Sequence, residues 1–277
     1  MGRSQIIACF GALILLSTAP GCSMWRHTAR PVANAPKSYA CHRSPHPIVI
    51  DGKGSDPAWA AAEWSSDFVD IEGAAKPKPA LRTHMKMLWD DKYLYVLAEM
   101  EEPHVWATLT EKNSIIYHDN DFEVFIDPDG DGLEYYEFEM NAFNTIWELT
   151  LDRPYHAGGT PILGTNLPGL KSAVFVDGTI NQPDDVDREW SVEIAFPWAE
   201  LASYNPRFNT PPASGDRWRM DFSRVEWPVE IVDGKYQKVA GKREDNWVWS
   251  PTGLVDMHRP ERWGFVKFVG GEKESRR

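Results

Sequence analysis

Apolar and polar residues alternate with a period of two over much of this chain, and that spacing predicts β-strands with one face in a core. In Asp121–Asp127 the alternation puts Phe122, Val124 and Ile126 on one face and Asp121, Glu123, Phe125 and Asp127 on the other. The next run, Glu134–Phe143, repeats the device: Tyr136, Phe138, Met140 and Ala142 face inward, Tyr135, Glu137, Glu139 and Asn141 outward. A third strand completes the unit by Asp152. If these strands pair, carboxylates stand opposite carboxylates. Like charges across a ladder are destabilising, so solvent, an arginine from another strand, a bound cation or a hydroxyl-rich ligand has to compensate.

The same pattern organises the rest of the chain. Leu81–Trp89 and Lys92–Met100 read as a hairpin around Asp90-Asp91, with Met85, Met87, Trp89, Leu94, Val96 and Ala98 inward and His84 exposed. Upstream, order is expected from a strand near Pro47–Ile50, followed by a turn at Asp51-Gly52. Asp56-Pro57 then caps a short helix that carries Trp59 as a core plug. Strands are expected at Lys171–Asp177 and Glu189–Phe196, then a short helix from Phe196-Pro197-Trp198 to near Ser203. In the strand Trp218–Trp227, Trp218, Met220 and Phe222 share one face and Arg219, Asp221 and Ser223 the other. Trp247–Ser250, a loop over Pro251–Pro260 and a last strand Trp263–Val269 close the chain. The loop Pro154–Leu170 is long and rich in Gly and Pro, a form that is often functional.

Composition agrees with one β-rich domain: 13 Trp, 12 Phe and 9 Tyr occur in short runs separated by Pro, Gly and Asp, and long amphipathic helices are missing. The fold class expected is all-β, an antiparallel β-sandwich with jelly-roll or immunoglobulin-like layering and short helices in the connections. A net charge of −12 without a basic stripe excludes a nucleic-acid partner.

The first 21 residues place Arg3 before an apolar run, Ile6–Leu16, and small residues before Cys22, as in a signal peptide ending at a bacterial lipoprotein cleavage site. The domain plan expected is a signal at 1–21, lipidation at Cys22, a polar tether at 22–46, the sandwich at 47–270 and a charged tail at 271–277. An exported protein follows, anchored by lipid to the outer membrane and facing periplasm or cell surface, with simple secretion as the alternative. Once Cys9 leaves with the signal and Cys22 carries lipid, Cys41 has no partner for a disulfide and is expected to be a buried, inert thiol.

Three acids at alternate positions in a tight turn, Asp127, Asp129 and Asp131, resemble the start of a calcium loop, although Phe138 at the twelfth position excludes a full EF-hand. Calcium is therefore the candidate cofactor. No phosphate-cradling Gly loop calls for a nucleotide, and no Cys/His spacing calls for zinc. Glu123, Glu137 and Glu139 could in principle supply the carboxylate pair of a glycosidase.

Five segments, IDGKGSDPAW, MLWDDKYLYVLAEMEEP, DNDFEVFIDPDGDGLEYYEFEMN, REWSVEIAFPW and WSPTGLVDMHRPERWGFVKF, occur in an order that resembles family 9 carbohydrate-binding modules from about Ile48 to Phe268. The resemblance implies a sandwich related to the DOMON superfamily, whose members bind sugars or haem. It also implies a non-catalytic role beside glycoside hydrolases, with an oligo- or polysaccharide as the partner. In that family two aromatic rings sandwich the sugar. The first ring corresponds here to Tyr117, and the second falls near Met257 and His258. Asn120, Glu123, Glu139 and Asn141 are the implied polar contacts, with Glu139 standing near where the family often supplies an arginine. Two alternatives accompany this reading: non-covalent haem binding through Met140, Met220, His118 or His258, and a docking lipoprotein that has lost sugar binding.

Overall fold

Side chains that alternate between core and solvent need a second layer to bury against, and here one sheet supplies both layers. The computed structural model describes residues 35–204 and 210–270. The first strands are β1 (Ser38–Arg43), β2 (Val69–Asp70), β3 (Thr83–Trp89) and β4 (Tyr93–Glu101). The acidic unit is β5 (Asp121–Asp127), β6 (Tyr135–Asn141) and β7 (Ile146–Leu151), followed by β8 (Pro161–Leu163), β9 (Lys171–Asp177) and β10 (Glu189–Pro197). After the helix α1 (Trp198–Tyr204) come β11 (Arg217–Glu226), a separate hairpin of β12 (Val229–Val232) and β13 (Lys235–Lys238), then β14 (Asp245–Val248) and β15 (Gly264–Val269).

The main sheet runs β8, β7, β6, β5, β11, β15, β1, β3, β4, β10, β9, with β14 beside β11 and β2 beside β14. Phe138 on β6 meets Phe196 on β10 edge to face at 5.3 Å. β5, β11, β15, β1, β3 and β4 lie between those two strands in the sheet. At about 4.8 Å per strand a flat sheet would hold them over 30 Å apart, so the sheet must curl onto itself. The interior of the curl is the core: Phe122, Val124 and Ile126 of β5 and Phe138 and Met140 of β6 pack with Met85, Val96, Val192 and Ile194 of the other layer. The expected sandwich is therefore present, as are the inward faces read from β3, β4, β5, β6 and β11.

Three local expectations change. The sheet is mixed, because β1 pairs in parallel with both β15 and β3. That strand lies within the stretch expected to be tether, and residues 44–50 hold no strand. Its order comes from Tyr39, whose hydroxyl donates to the Glu63 carbonyl at 2.6 Å and accepts from the Met87 N–H at 2.9 Å, and from Cys41, fully buried as expected. His84 is buried rather than exposed: the 57–66 segment covers the outer face of β3, and Trp64 stacks on the His84 ring at 3.9 Å. The expected signal segment, Cys22, the first part of the tether and the charged tail lie outside the described residues. Among the described residues no helix is long and apolar enough to cross a membrane.

The core row of β11 ends in a charge. Arg224 is fully buried, its Nη2 donating at 2.8 Å to both Glu102 and Glu226 and its Nη1 to the Glu101 carbonyl at 2.9 Å and Thr83 Oγ1 at 3.1 Å. Burial pushes the Glu226 carboxyl up to about 8 against the pull of Arg224. A carboxyl raised in the folded state contributes most below its unfolded pKa, and that contribution is lost as pH rises toward 8. Arg224→Met, which strands two buried acids, is expected to lose about 3–5 kcal/mol at pH 8 and less at pH 5, where both acids can take up protons. Urea unfolding at the two pH values checks this; an equal loss at both would contradict the network.

Candidate functional site

The outward face of β5 and β6 is the floor of a cleft. Register puts Glu123 directly opposite Glu139, Phe125 opposite Glu137 and Asp121 opposite Asn141. On the neighbouring strands Ser223 faces Glu123 and Trp147 faces Glu139. The strand ends and loops wrap this floor into a cleft of about 420 Å³ that Glu123, Glu137 and Glu139 line together with Tyr117, Trp147, Tyr155 and His258. Beside the acids on the same face, Phe125, Tyr135, Leu149, Met257 and Trp263 form a second apolar cluster, of which Phe125, Leu149 and Met257 also line the cleft.

The acids are buried, and burial sets their chemistry. It pushes Glu123 up to about 7, with the Ser223 hydroxyl pulling the other way. Glu137 and Glu139 are held well above the ordinary carboxyl range, first by burial and then by the charge of Glu123. Asp121, wholly buried, is raised for the same two reasons. Glu139 is positioned by the Tyr117 N–H, which donates to its Oε2 at 3.1 Å. Glu137 lines the cleft, and its buried Oε2 has no hydrogen-bond partner, with His258 Nε2 3.9 Å away. An orphaned, nearly buried acceptor beside a cavity is suited to a ligand that carries hydroxyl donors.

Aromatic rings form the rest of the wall. Tyr117, 40% exposed, lies 6.3 Å from Trp147, and Tyr155, 44% exposed, meets His258 edge to face at 4.4 Å. His258 shares a 2.9 Å hydrogen bond between its Nδ1 and the Tyr135 hydroxyl, and burial lowers its pKa to about 4, so the ring is neutral. Met257 also lines the cleft, nearly buried in the second apolar cluster.

Of the residues singled out from sequence, the cleft gathers Tyr117, Glu123, Glu137, Glu139, Met257 and His258. Asn120 and Asn141 lie outside it and serve the framework. Asn120 donates to Glu226 at 2.9 Å and accepts from the Trp227 N–H at 2.7 Å; Asn141 bridges the Leu109 carbonyl and Asp119 and receives the Phe143 and Thr145 N–H groups. Trp147 and Tyr155 were not singled out. Period two along β7 would have found Trp147 beside Glu139, whereas Tyr155 sits in the Gly- and Pro-rich loop whose path no pattern specifies.

Asp127, Asp129 and Asp131 do converge, one oxygen of each within 4.8 Å of the others. Asp127 accepts the Gly130 and Gly132 N–H groups at 2.9 Å, which is how an Asp side chain stabilises a tight turn. The haem candidates divide between the faces of the sheet. Met140 and Met220 are packed in the sandwich core, while His258 stands over the opposite face of β6.

Comparison with known proteins decides the family. A family model, carbohydrate family 9 binding domain-like, matches residues 50–270. This chain belongs to that family. The carbohydrate-binding domain of family 9 is thus the module present, and a binding module accounts for the cleft without catalysis. Among solved structures the chain is similar to a Bacteroides uniformis protein proposed to bind carbohydrate (TM-score 0.61, 16% identity, covering 84% of this chain and 100% of that one). It is also similar to a family 9 module of Caldicellulosiruptor kristjanssonii in complex with cellotriose (TM-score 0.54, 18% identity, covering 86% and 97%). At these identities the likeness concerns the fold. Among curated proteins it is 33% identical over 157 residues to endo-1,4-beta-xylanase A of Thermoanaerobacterium saccharolyticum, covering 57% of this chain, and 31% identical over 157 residues to exoglucanase XynX of Acetivibrio thermocellus, also covering 57%. The chain spans only 11% and 12% of those two proteins.

Because burial keeps His258 neutral, its ring proton resonances are expected to show no inflection between pH 5.5 and 8. An NMR titration assigned with His258→Gln checks this; a midpoint near 6.5 would mean that the ring is solvated and the cleft wall loosely packed.

Proposed function

We propose that this chain is an exported glycan-binding protein that holds oligo- or polysaccharide in the cleft over β5 and β6, in support of polysaccharide capture by glycoside hydrolases. The observation that carries the reading is the pairing of exposed rings with carboxyl groups: Tyr117 and Tyr155 beside Glu123, Glu137 and Glu139 in one cleft, with one oxygen of Glu137 left without a hydrogen-bond partner. Sugar rings present apolar C–H faces that stack on aromatic side chains and hydroxyls that donate to carboxylates, so both kinds of group are needed together. Here Tyr155, with His258 behind it, takes the part of the second ring that Met257 cannot. The complexes of the Caldicellulosiruptor kristjanssonii module with cellotriose and with glucose make β-1,4-linked glucose oligomers the first ligands to test, and the xylanase relatives add xylo-oligomers. Lipid at Cys22 would place the cleft at the outer membrane, facing periplasm or cell surface.

Calorimetric titration with cellotriose and xylotriose, preceded by a glycan array, tests the reading. Tyr117→Ala and Tyr155→Ala are each expected to weaken binding roughly tenfold, and Glu123→Gln to weaken it as well, with the fold retained. No binding on the array, with and without calcium, would remove the sugar reading. For the anchor, mass spectrometry of the membrane fraction is expected to find diacylglycerol on Cys22, and a Cys22→Ser variant still held in the membrane would contradict it.

A further inference from the structure

Beneath the cleft the acids form a tighter cluster than sugar binding requires. One oxygen from each of Asp121, Glu123 and Glu139 lies within 4.8 Å of the other two, and all three side chains are buried. Two neighbouring strands supply them, Asp121 and Glu123 from one face of β5 and Glu139 from the facing position on β6, so a paired ladder fixes their geometry. No ion pair to any of the three forms among the described residues. The nearest buried guanidinium, Arg224, points to the opposite face and is shared between Glu102 and Glu226. At the cleft wall, Arg243 is solvent-exposed and pairs with Glu244.

A second observation points to a ligand here. Asp121 Oδ2 is fully buried and has no hydrogen-bond partner, while Oδ1 of the same carboxylate receives only the Val225 N–H at 3.2 Å. A buried carboxylate oxygen left without a donor is expensive, and a cation shared with two further carboxylates satisfies it.

The geometry points to Asp121, Glu123 and Glu139 as a binding site for a hard divalent cation of the calcium type at the floor of the cleft. Oxygen atoms within 4.8 Å of one another fit around an ion that takes oxygen ligands at about 2.3–2.6 Å. Three carboxylates from two strands leave the remaining positions of a six- to eight-coordinate calcium to water; magnesium, which usually takes only one or two carboxylates and demands near-ideal octahedral geometry at about 2.0–2.1 Å, suits the set less well. Glu123 and Glu139 also line the cleft, so the open side of the ion faces it. If the sugar reading above holds, ligand hydroxyls replace those waters, and this last clause rests on that reading.

The test uses the full chain stripped with EDTA and titrated with calcium chloride in the absence of sugar, followed by calorimetry and by thermal melting. One equivalent of calcium is expected, raising the melting temperature by roughly 5–10 °C at a hundredfold excess over the dissociation constant. Asp121→Asn and Glu139→Gln are each expected to weaken uptake at least tenfold while melting in EDTA at or above the unmodified protein, since each removes a buried charge; that rise separates loss of a ligand from loss of fold. Asp131→Asn, in the separate turn cluster, leaves this uptake unchanged. No calcium uptake, or uptake that Asp121→Asn and Glu139→Gln leave intact, or uptake that Asp131→Asn abolishes, would each overturn the site. Cellotriose titration with and without calcium separates the two readings. Calcium uptake without sugar binding keeps the cation site and removes the sugar function, whereas sugar binding without calcium uptake does the reverse.

Discussion

Glu123 stands directly opposite Glu139 on an antiparallel ladder, both nearly out of water, and the rest of the cleft is arranged around that opposition. Two carboxylates so placed cannot both carry charge without compensation. Asp121 and Glu137 lie on the same two faces and raise the cost further, which is why all four acids hold protons more firmly than an exposed carboxyl would. The sheet accepts this strain because the reverse faces of β5 and β6 are predominantly apolar, the Tyr136 hydroxyl being bonded to Glu148. Phe122, Val124, Ile126, Phe138 and Met140 anchor them in the main core, and burial there at about 25 cal/mol per Å² outweighs a locally unfavourable ladder.

A rigid acid floor explains the remaining architecture. Phe125, Tyr135, Leu149, Met257 and Trp263 pack around it as a second cluster, and His258 is held neutral against Tyr135, so the wall adds no charge to the floor. Among the described residues, no cationic side chain pairs with the floor acids Asp121, Glu123 and Glu139, and Arg243 at the wall is paired with Glu244. Arg224, the one guanidinium buried nearby, is committed to Glu102 and Glu226 on the core side of β11, where it ties that strand to the end of β4. The cleft is thereby left electron-rich and open to hydroxyl donors or a cation, while exposed Tyr117 and Tyr155 offer apolar faces. That combination suits sugar better than it suits an anionic or wholly apolar ligand.

Strand faces were legible in the sequence because period two is a property of the backbone: the inward sets of β3, β4, β5, β6 and β11 follow from it, as does the meeting of carboxylates across β5 and β6, while the register that sets Glu123 against Glu139 came from the fold. The sandwich and the family were also readable, from short motifs in a fixed order. What the pattern could not carry was the path of segments between strands. His84 was read as exposed since nothing in β3 announces that Trp64 will lie on it. Parallel pairing of β1 with β15 joins chain ends more than two hundred residues apart, a contact with no local signature. Asn141 occupies a position that looks outward and Asn120 extends the inward row of β5, yet both amides are spent on Glu226, Asp119 and neighbouring backbone groups. Tyr155 reaches the cleft through a loop, so only the fold reveals it as a partner of His258.

The central claim is that this acid-floored cleft is where ligand binds. Its most direct test is a map of amide and side-chain chemical-shift changes in isotope-labelled protein as cellotriose is added. The account predicts saturable changes centred on Tyr117, Glu139, Trp147, Tyr155 and His258, with the outer layer around Trp59 and Trp64 unmoved. Changes centred on that outer layer, or none at saturating sugar, would contradict it.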